Sequence, residues 1–415
     1  MAVMSQFPPD EPPDIPMGDL FNDVPLFREI QRVLLASSGP VNWELARQVG
    51  IAMASWGEDD PHPSDEDRRG LADTVRAAEL AVADFTGLPM PGDVAEVEAF
   101  RRAQWVEANI RALRDVIDPV AAKLGTAMGQ LTILPGMPGM PGLPGMSEPG
   151  DEGPTPDPAQ AQMMQQALSM LGPLLMGAQV GTVLGYLGQR VFGQFDLAVP
   201  RPTGSLYFVI PNIARFERDW SLPPMEFRAY VALHEVTHRF EFARAWVREH
   251  FLGLVRDLVG HAEIDLSGLQ QKIEGMDLAN PEAMSEAFEG MGSLFGESSD
   301  PEQRLRIARV QAFMAAAEGY GDHVMDALGA KMLPAYSRIE EALSRHREGR
   351  AADRTLERLL GLEMKAEQYR LGERFCATVV ERTDQATLAR MWESAETLPS
   401  MPELEEPTLW LARMV

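Results

Sequence analysis

Positive charge is scarce in this chain. Its 415 residues include 37 lysines and arginines against 62 aspartates and glutamates, which gives a formal net charge of −25. Proteins that bind nucleic acid neutralise backbone phosphates with clustered basic side chains. The one locally basic stretch, 338–350, also contains Glu340, Glu341 and Glu348, which is typical of a solvated helix face. We therefore predict no nucleic-acid partner.

Cysteine is almost absent. Cys376 is the single cysteine, so the chain cannot form an intramolecular disulfide. The residues that follow Met1 contain no apolar run of the kind that forms a signal peptide. From these two features we expect a cytoplasmic protein.

Charge is also missing from one long stretch, residues 158–189, which raises the question of a membrane span. The stretch contains several glutamines and Pro173, and Gly177, Gly181 and Gly185 recur at every fourth position. Glutamine is unfavourable in hydrocarbon, and small residues let two helices approach closely. We therefore predict a buried helix and no membrane span.

Composition divides the chain into four regions. Residues 1–22, rich in proline and acidic side chains, are expected to form a flexible tail. Residues 23–131 have helical periodicity, with one long run predicted from Val94 to Leu124. Residues 132–158, rich in proline, glycine and methionine, are typical of a linker or surface loop. Residues 159–415 are expected to form the metal-site region and to pack with 23–131 as one large domain.

The most informative segment is His-Glu-Val-Thr-His at residues 234–238. The β-branched and aromatic residues at Ser205–Ile210 predict a short buried strand before it. A helix is predicted from about Pro223 to Phe251, because proline at its start is followed by an apolar stripe with spacings of three and four. The motif therefore lies within a helix, and the pattern indicates a mainly α protein with a small β element.

The two histidines of the motif are four residues apart, so they share one helix face. Both imidazoles can then bind one metal ion, and Glu235 can reach a water molecule bound to that ion. The alternative is a pair of core histidines satisfied by hydrogen bonds. Two basic groups and a carboxylate in one apolar stripe are costly to bury without a metal. We therefore predict His234 and His238 as metal ligands.

A hydrolytic zinc site needs a third protein ligand. Glu318 is our choice, because alanines before it in a predicted helix would let that helix pack closely against another. Asp322 follows one turn later on the same face, and we expect it to accept a hydrogen bond from a ligating histidine. His323 and Asp326 are alternative ligands.

Three stretches together resemble a known family. They are residues 233–240, residues 318–326, and residues 365–369 with Gly372 and Phe375. The family is an actinobacterial, zincin-like group described as zinc-dependent metalloproteases or hydrolases and sometimes labelled as associated with deazaflavin coenzyme biosynthesis.

The resemblance runs from about Asp23 to the C-terminus, and the spacing of the acidic residues in 318–326 is similar to that of gluzincin metallopeptidases. It implies a zincin-like metallopeptidase core wrapped by additional helices. It also implies that His234, His238 and Glu318 bind the metal and that Glu235 is the catalytic base.

These observations predict a zinc-dependent metallohydrolase, most specifically a peptidase that acts on a peptide or protein. Zn²⁺ would lower the pKa of a bound water molecule toward ~7, and Glu235 would transfer its proton to the leaving amine. The oxyanion also needs a neutral hydrogen-bond donor. The candidates are Tyr320, His323, Tyr336 and Tyr369.

Two other functions fit parts of the sequence. A catalytically inactive zincin-like protein would bind metal, peptide or a protein partner without turnover. A di-iron carboxylate bundle would use residues 235–238 as Glu-x-x-His, but it requires a second such motif. Gly321 stands three residues after Glu318, and no other glutamate precedes a histidine by three residues, which rejects the di-iron site.

Overall fold

The protein is represented by a computed structural model. It describes residues 39–92, 96–131, 158–196, 199–201, 204–262, 300–348 and 366–414. The predicted tail at 1–22 lies outside the described residues, and so does the predicted linker at 132–158 apart from Pro158. Both stay predictions.

Helices make up most of the described chain, which confirms the predicted mainly α fold. Their apolar faces form one connected hydrophobic core that includes both Val41 and Met414. Short 3₁₀ turns lie at Arg390–Trp392 and Ala395–Thr397. The helices are α1 (Trp43–Ala54), α2 (Asp65–Thr86), α3 (Arg102–Leu131), α4 (Pro158–Gly188), α5 (Ile210–Asp219), α6 (Pro224–Phe242), α7 (Ala245–His261), α8 (Pro301–Met332), α9 (Tyr336–Glu348), α10 (Ala366–Arg382), α11 (Gln385–Ala389), α12 (Met401–Glu405) and α13 (Pro407–Met414).

The β element is a small parallel sheet of β1 (Glu96–Phe100) and β2 (Ser205–Val209). The predicted strand at Ser205–Ile210 is confirmed up to Val209, while Ile210 begins α5. The prediction that a helix begins at Val94 is wrong, because residues 96–100 form β1 and helix α3 begins only at Arg102. Pairing with β2 supplies the backbone hydrogen bonds that make an extended conformation favourable there.

The charge-free stretch forms α4, which packs against α1. A Cβ atom at Gly181 would lie 2.6 Å from the carbonyl oxygen of Ala46, and one at Gly185 would overlap Met53. The recurring glycines therefore permit close packing of two helices, as their spacing predicted. Among the described residues, no helix combines the length and apolar character that a membrane span requires.

The motif helix is shorter than the sequence predicted. Proline at the first position of α6 agrees with the predicted start, but α6 ends at Phe242 and a separate helix, α7, begins at Ala245. Arg244 between them is extended, and its Nη1 donates to the carbonyl oxygen of Phe240 at 2.6 Å. Helix α7 also buries an apolar face, so the apolar stripe continues past the end of α6. For this reason the periodicity of the sequence did not reveal the break between the two helices.

Helices α8 and α10 cross with their backbones almost in contact. A Cβ atom at Gly319 would overlap the backbone of Gly372, and one at Gly372 would overlap the carbonyl oxygen of Ala315. Only glycine fits at this crossing, because any side chain would separate the two backbones. The crossing fixes the position of α8 beside the motif helix.

We expect Gly372→Ala to lower the free energy of unfolding by about 1–3 kcal/mol, because the added methyl group forces the two helices apart. Gly70→Ala is the matched control. Gly70 lies within α2 with nothing within 4 Å of its Cβ position, so alanine should leave stability unchanged or raise it by up to ~1 kcal/mol. Urea denaturation measures both, and equal effects would contradict the close crossing.

Candidate metal centre

Helix α6 presents both motif histidines on one side. The ring centroids of His234 and His238 are 4.7 Å apart, and the rings are almost perpendicular. His238 is fully buried, whereas the side chain of His234 is 23% exposed. One imidazole therefore belongs to the core, and the other reaches the surface of the site.

Helix α8 brings Glu318 to the same place. One ligand atom from each of His234, His238 and Glu318 lies within 4.8 Å of the others. Nε2 of His238 is buried and has no hydrogen-bond partner, which is unfavourable unless another group takes its lone pair or proton. Two imidazoles and one carboxylate are a donor set that zinc commonly takes in hydrolases. The three residues therefore fit a zinc ion.

A glycine on α8 allows this convergence. A Cβ atom at Gly321 would lie 3.2 Å from Cε1 of His238, which is tight for a carbon contact. Helix α8 can therefore pack directly against the imidazole of α6, with Glu318 almost one turn earlier on the same helix.

The carboxylate that contacts His238 is Glu241, which the sequence analysis did not identify. Nδ1 of His238 lies 3.0 Å from Oε2 of Glu241, and both side chains are fully buried. Because this contact uses Nδ1, it leaves Nε2 for a metal and fixes the orientation of the ring. The spacing of three residues along one helix was the available signal.

The other predicted site residues lie around this cluster. The charge of Asp322 contributes to a raised pKa of Glu318, and its predicted hydrogen bond to a histidine stays a prediction. Nε2 of His323 lies 3.0 Å from Oε1 of Gln385. Asp326 accepts a hydrogen bond from the hydroxyl of Tyr336 at 2.7 Å. Neither His323 nor Asp326 joins the cluster among the described residues.

Tyr320 and Tyr369 are the two remaining donor candidates. Tyr320 is fully buried, with its ring 5.7 Å from that of Trp392. The side chain of Tyr369 lies outside the described residues.

Glu235 is fully buried beside the cluster. Its Oε2 accepts a hydrogen bond from the backbone N–H of Phe195 at 2.7 Å. Its Oε1 has no hydrogen-bond partner and lies 3.6 Å from Nδ1 of His234. A Cβ atom at Gly193 would overlap this carboxylate, so the loop before β2 leaves room for Glu235 only because residue 193 is glycine.

That loop is held against β2. Gly193 forms an antiparallel bridge with Phe208, and the backbone N–H groups of Phe192 and Gly193 both donate to Asp196. Asp196 also has a carboxylate oxygen within 4.8 Å of ligand atoms of His234 and Glu235. Asp196 was not predicted as a site residue, since an isolated aspartate in a loop belongs to no pattern that indicates a metal or catalytic site.

Burial controls the protonation of the cluster. Burial raises the pKa of Glu235, of Glu318 and of Glu241, because a charged carboxylate is poorly solvated there. Burial lowers the pKa of His238 to about 4, which favours the neutral imidazole that binds metal. Burial opposes the charged form of His234 as well, but the negative charges of Glu235, Asp196 and Glu318 together outweigh it, and the pKa of His234 is raised to about 9. A bound cation would favour the charged carboxylates.

Comparison with known proteins agrees with this geometry. The sequence profile of the zincin-like metallopeptidase family matches residues 41–411, and such a family implies a metal, usually zinc. A crystal structure from Chloroflexus aurantiacus, described as that of a candidate hydrolase with a novel fold, is similar with a TM-score of 0.61 and 30% sequence identity. The match covers 90% of this chain and 98% of that chain. No curated protein matches the chain.

We expect Glu241→Gln to weaken zinc binding about 10- to 100-fold, because a neutral amide supports the basicity of His238 less than a carboxylate does. Glu249→Gln, at an exposed position on α7, is the control and should bind zinc like the native protein. Competition with a chromogenic chelator gives both affinities. Equal zinc affinity in the two variants would show that the Glu241 contact does not support the ligand.

Proposed function

Because this chain belongs to the zincin-like metallopeptidase family, we propose that it is a zinc-dependent metallohydrolase, and specifically a peptidase. The observation that carries the proposal is the approach of His234, His238 and Glu318, whose ligand atoms lie within 4.8 Å of one another. Glu235 lies next to His234 in the same helix, on the side of the loop at Gly193.

The three ligands would hold the ion between two helices. Zinc bound by these residues would act as a Lewis acid toward the substrate carbonyl and would make a water molecule more acidic. His238 keeps its orientation through Glu241, and Glu318 keeps its position through the tight packing of α8. The ligands are therefore positioned before any substrate arrives, which favours catalysis.

Glu235 would move the proton. Its Oε2 accepts a hydrogen bond from the N–H of Phe195, while Oε1, which lies 3.6 Å from Nδ1 of His234, has no hydrogen-bond partner and can accept a proton from the attacking water. Burial raises its pKa, which brings a carboxylate closer to the range in which it can both accept and release a proton. Glu235 then delivers the proton to the leaving amine, and the peptide bond is cleaved.

We expect Glu318→Ala to reduce the zinc content from about one ion per chain to a small fraction of that, since only two imidazoles would remain as ligands. Glu302→Ala is the control, because Glu302 lies on the same helix at an exposed position and pairs with Arg306. Elemental analysis of protein purified without a histidine tag measures both variants. Full zinc content in Glu318→Ala would reject this ligand set.

We expect Glu235→Gln to lower the rate of peptide hydrolysis by about 10²–10⁴-fold, because the amide cannot accept the proton. Zinc content should stay unchanged, since Glu235 is not assigned as a ligand. The zinc-loaded native protein and the variant are incubated with a defined peptide mixture, and products are identified by mass spectrometry. Equal cleavage by both would contradict the mechanism, and no cleavage by either would favour a catalytically inactive zincin-like protein.

A further inference from the structure

Arg201 is a buried cation for which the described residues provide no counterion. The described residues contain three arginines that are almost fully buried: Arg102 is 2% exposed, Arg201 3% and Arg239 1%. Arg102 pairs with Glu58 at 2.8 Å, and Arg239 pairs with Glu79 at 2.6 Å. No carboxylate among the described residues pairs with Arg201. Within the described part of the chain, two of these buried guanidinium groups therefore have an anionic partner and the third has none.

The contacts of Arg201 use only one of its three nitrogens. Nη1 donates to Oδ1 of Asn109, and it donates to the hydroxyl oxygen of Tyr207 at 3.0 Å. Both acceptors are neutral. Nε and Nη2 are buried and have no hydrogen-bond partner. A buried charge with unsatisfied N–H groups is costly, and a negatively charged ligand would compensate it.

Hydrogen bonds connect Arg201 to the wall of the catalytic site. Asn109, which accepts from Arg201, donates from Nδ2 to the carbonyl oxygen of Trp105 at 2.7 Å. Nε1 of Trp105 donates to the carbonyl oxygen of Gly193 at 3.0 Å, and Gly193 lies against the carboxylate of Glu235. Arg201 is therefore connected, through Asn109 and Trp105, to the loop that positions the proposed catalytic base.

Tyr207 is affected by the charges of both Arg201 and Glu235. Burial raises the pKa of its phenol, the positive charge of Arg201 opposes that rise, and the negative charge of Glu235 adds to it. The phenol therefore lies within electrostatic range of both groups.

We propose that Arg201 binds a carboxylate of the peptide substrate through Nε and Nη2, at a position that hydrogen bonds through Asn109 and Trp105 connect to the loop at Gly193. These two N–H groups form one edge of the guanidinium, which matches the two oxygens of a carboxylate. A single guanidinium carries one positive charge, which favours a ligand with one negative charge over a phosphate. The inference rests on the proposed function. Binding of a carboxylate at Arg201 would make the enzyme selective for peptides with a free C-terminus or an acidic side chain.

Three short peptides of one sequence distinguish the sources of the carboxylate. The first ends in a free carboxylate, the second in a carboxamide, and the third in a carboxamide with an aspartate as its last residue. Their affinities are measured by titration calorimetry on zinc-loaded Glu235→Gln protein, which prevents turnover. We expect the first or the third peptide to bind at least about tenfold more tightly than the second at equal ionic strength.

The preference should disappear when Arg201→Gln is added to the same protein, and Arg248→Gln, at a surface pair with Asp115, should retain it. Near-ultraviolet circular dichroism verifies that each variant is folded. If Arg201→Gln does not fold, Arg201→Lys replaces it, and we expect its preference to fall several-fold because lysine lacks the two-pronged edge.

Equal affinities for the three peptides would overturn the proposal and would leave Arg201 as a structural residue solvated by water. A preference that survives Arg201→Gln or Arg201→Lys would also overturn it. Failure of the proposed function has a different signature, because it appears as the absence of hydrolysis by zinc-loaded native protein, and the binding experiment does not depend on turnover.

Discussion

Burial of ionisable side chains along one helix is the constraint on which the rest of this structure depends. Glu235, His238 and Glu241 are all fully buried on α6. Each would be unfavourable in an apolar core without a partner, so the neighbouring elements must supply partners. The loop before β2 supplies the N–H of Phe195, and α6 itself supplies the contact between His238 and Glu241. Nε2 of His238 and Oε1 of Glu235 remain without hydrogen-bond partners, and they are atoms that the proposed function uses.

Glycine provides the space that these side chains need. Gly193 leaves room for the carboxylate of Glu235, Gly321 leaves room for the imidazole of His238, and the pair Gly319 and Gly372 lets α10 support α8 from the other side. Tight packing of this kind restricts the motion of each functional group. The geometry of the site is therefore a consequence of backbone contacts as much as of the ligands themselves.

Much of the site followed from local rules. The spacing of His234 and His238 required only that residues 234–238 be helical, since residues four apart share a face in any α-helix. Glu318 required more, because spacing does not show which distant helix faces the motif, and its assignment used an alanine-rich helix and a family resemblance. The strand at β2 was predicted from its composition, whereas β1 was not, because its extended conformation depends on pairing with residues about 110 positions later in the chain.

The sequence by itself determined the helical class of the protein, the motif and the chemistry that two imidazoles and a carboxylate can perform, because these depend on residue type and short-range geometry. Tertiary structure alone decided which acids and cations meet. Glu241 became the partner of His238 only where α6 is buried. Arg201 contacts Asn109 of α3 and Tyr207 of β2, and no carboxylate of the described residues pairs with it. The physical reason is that desolvation and long-range contacts depend on the whole fold, so no local pattern contains them.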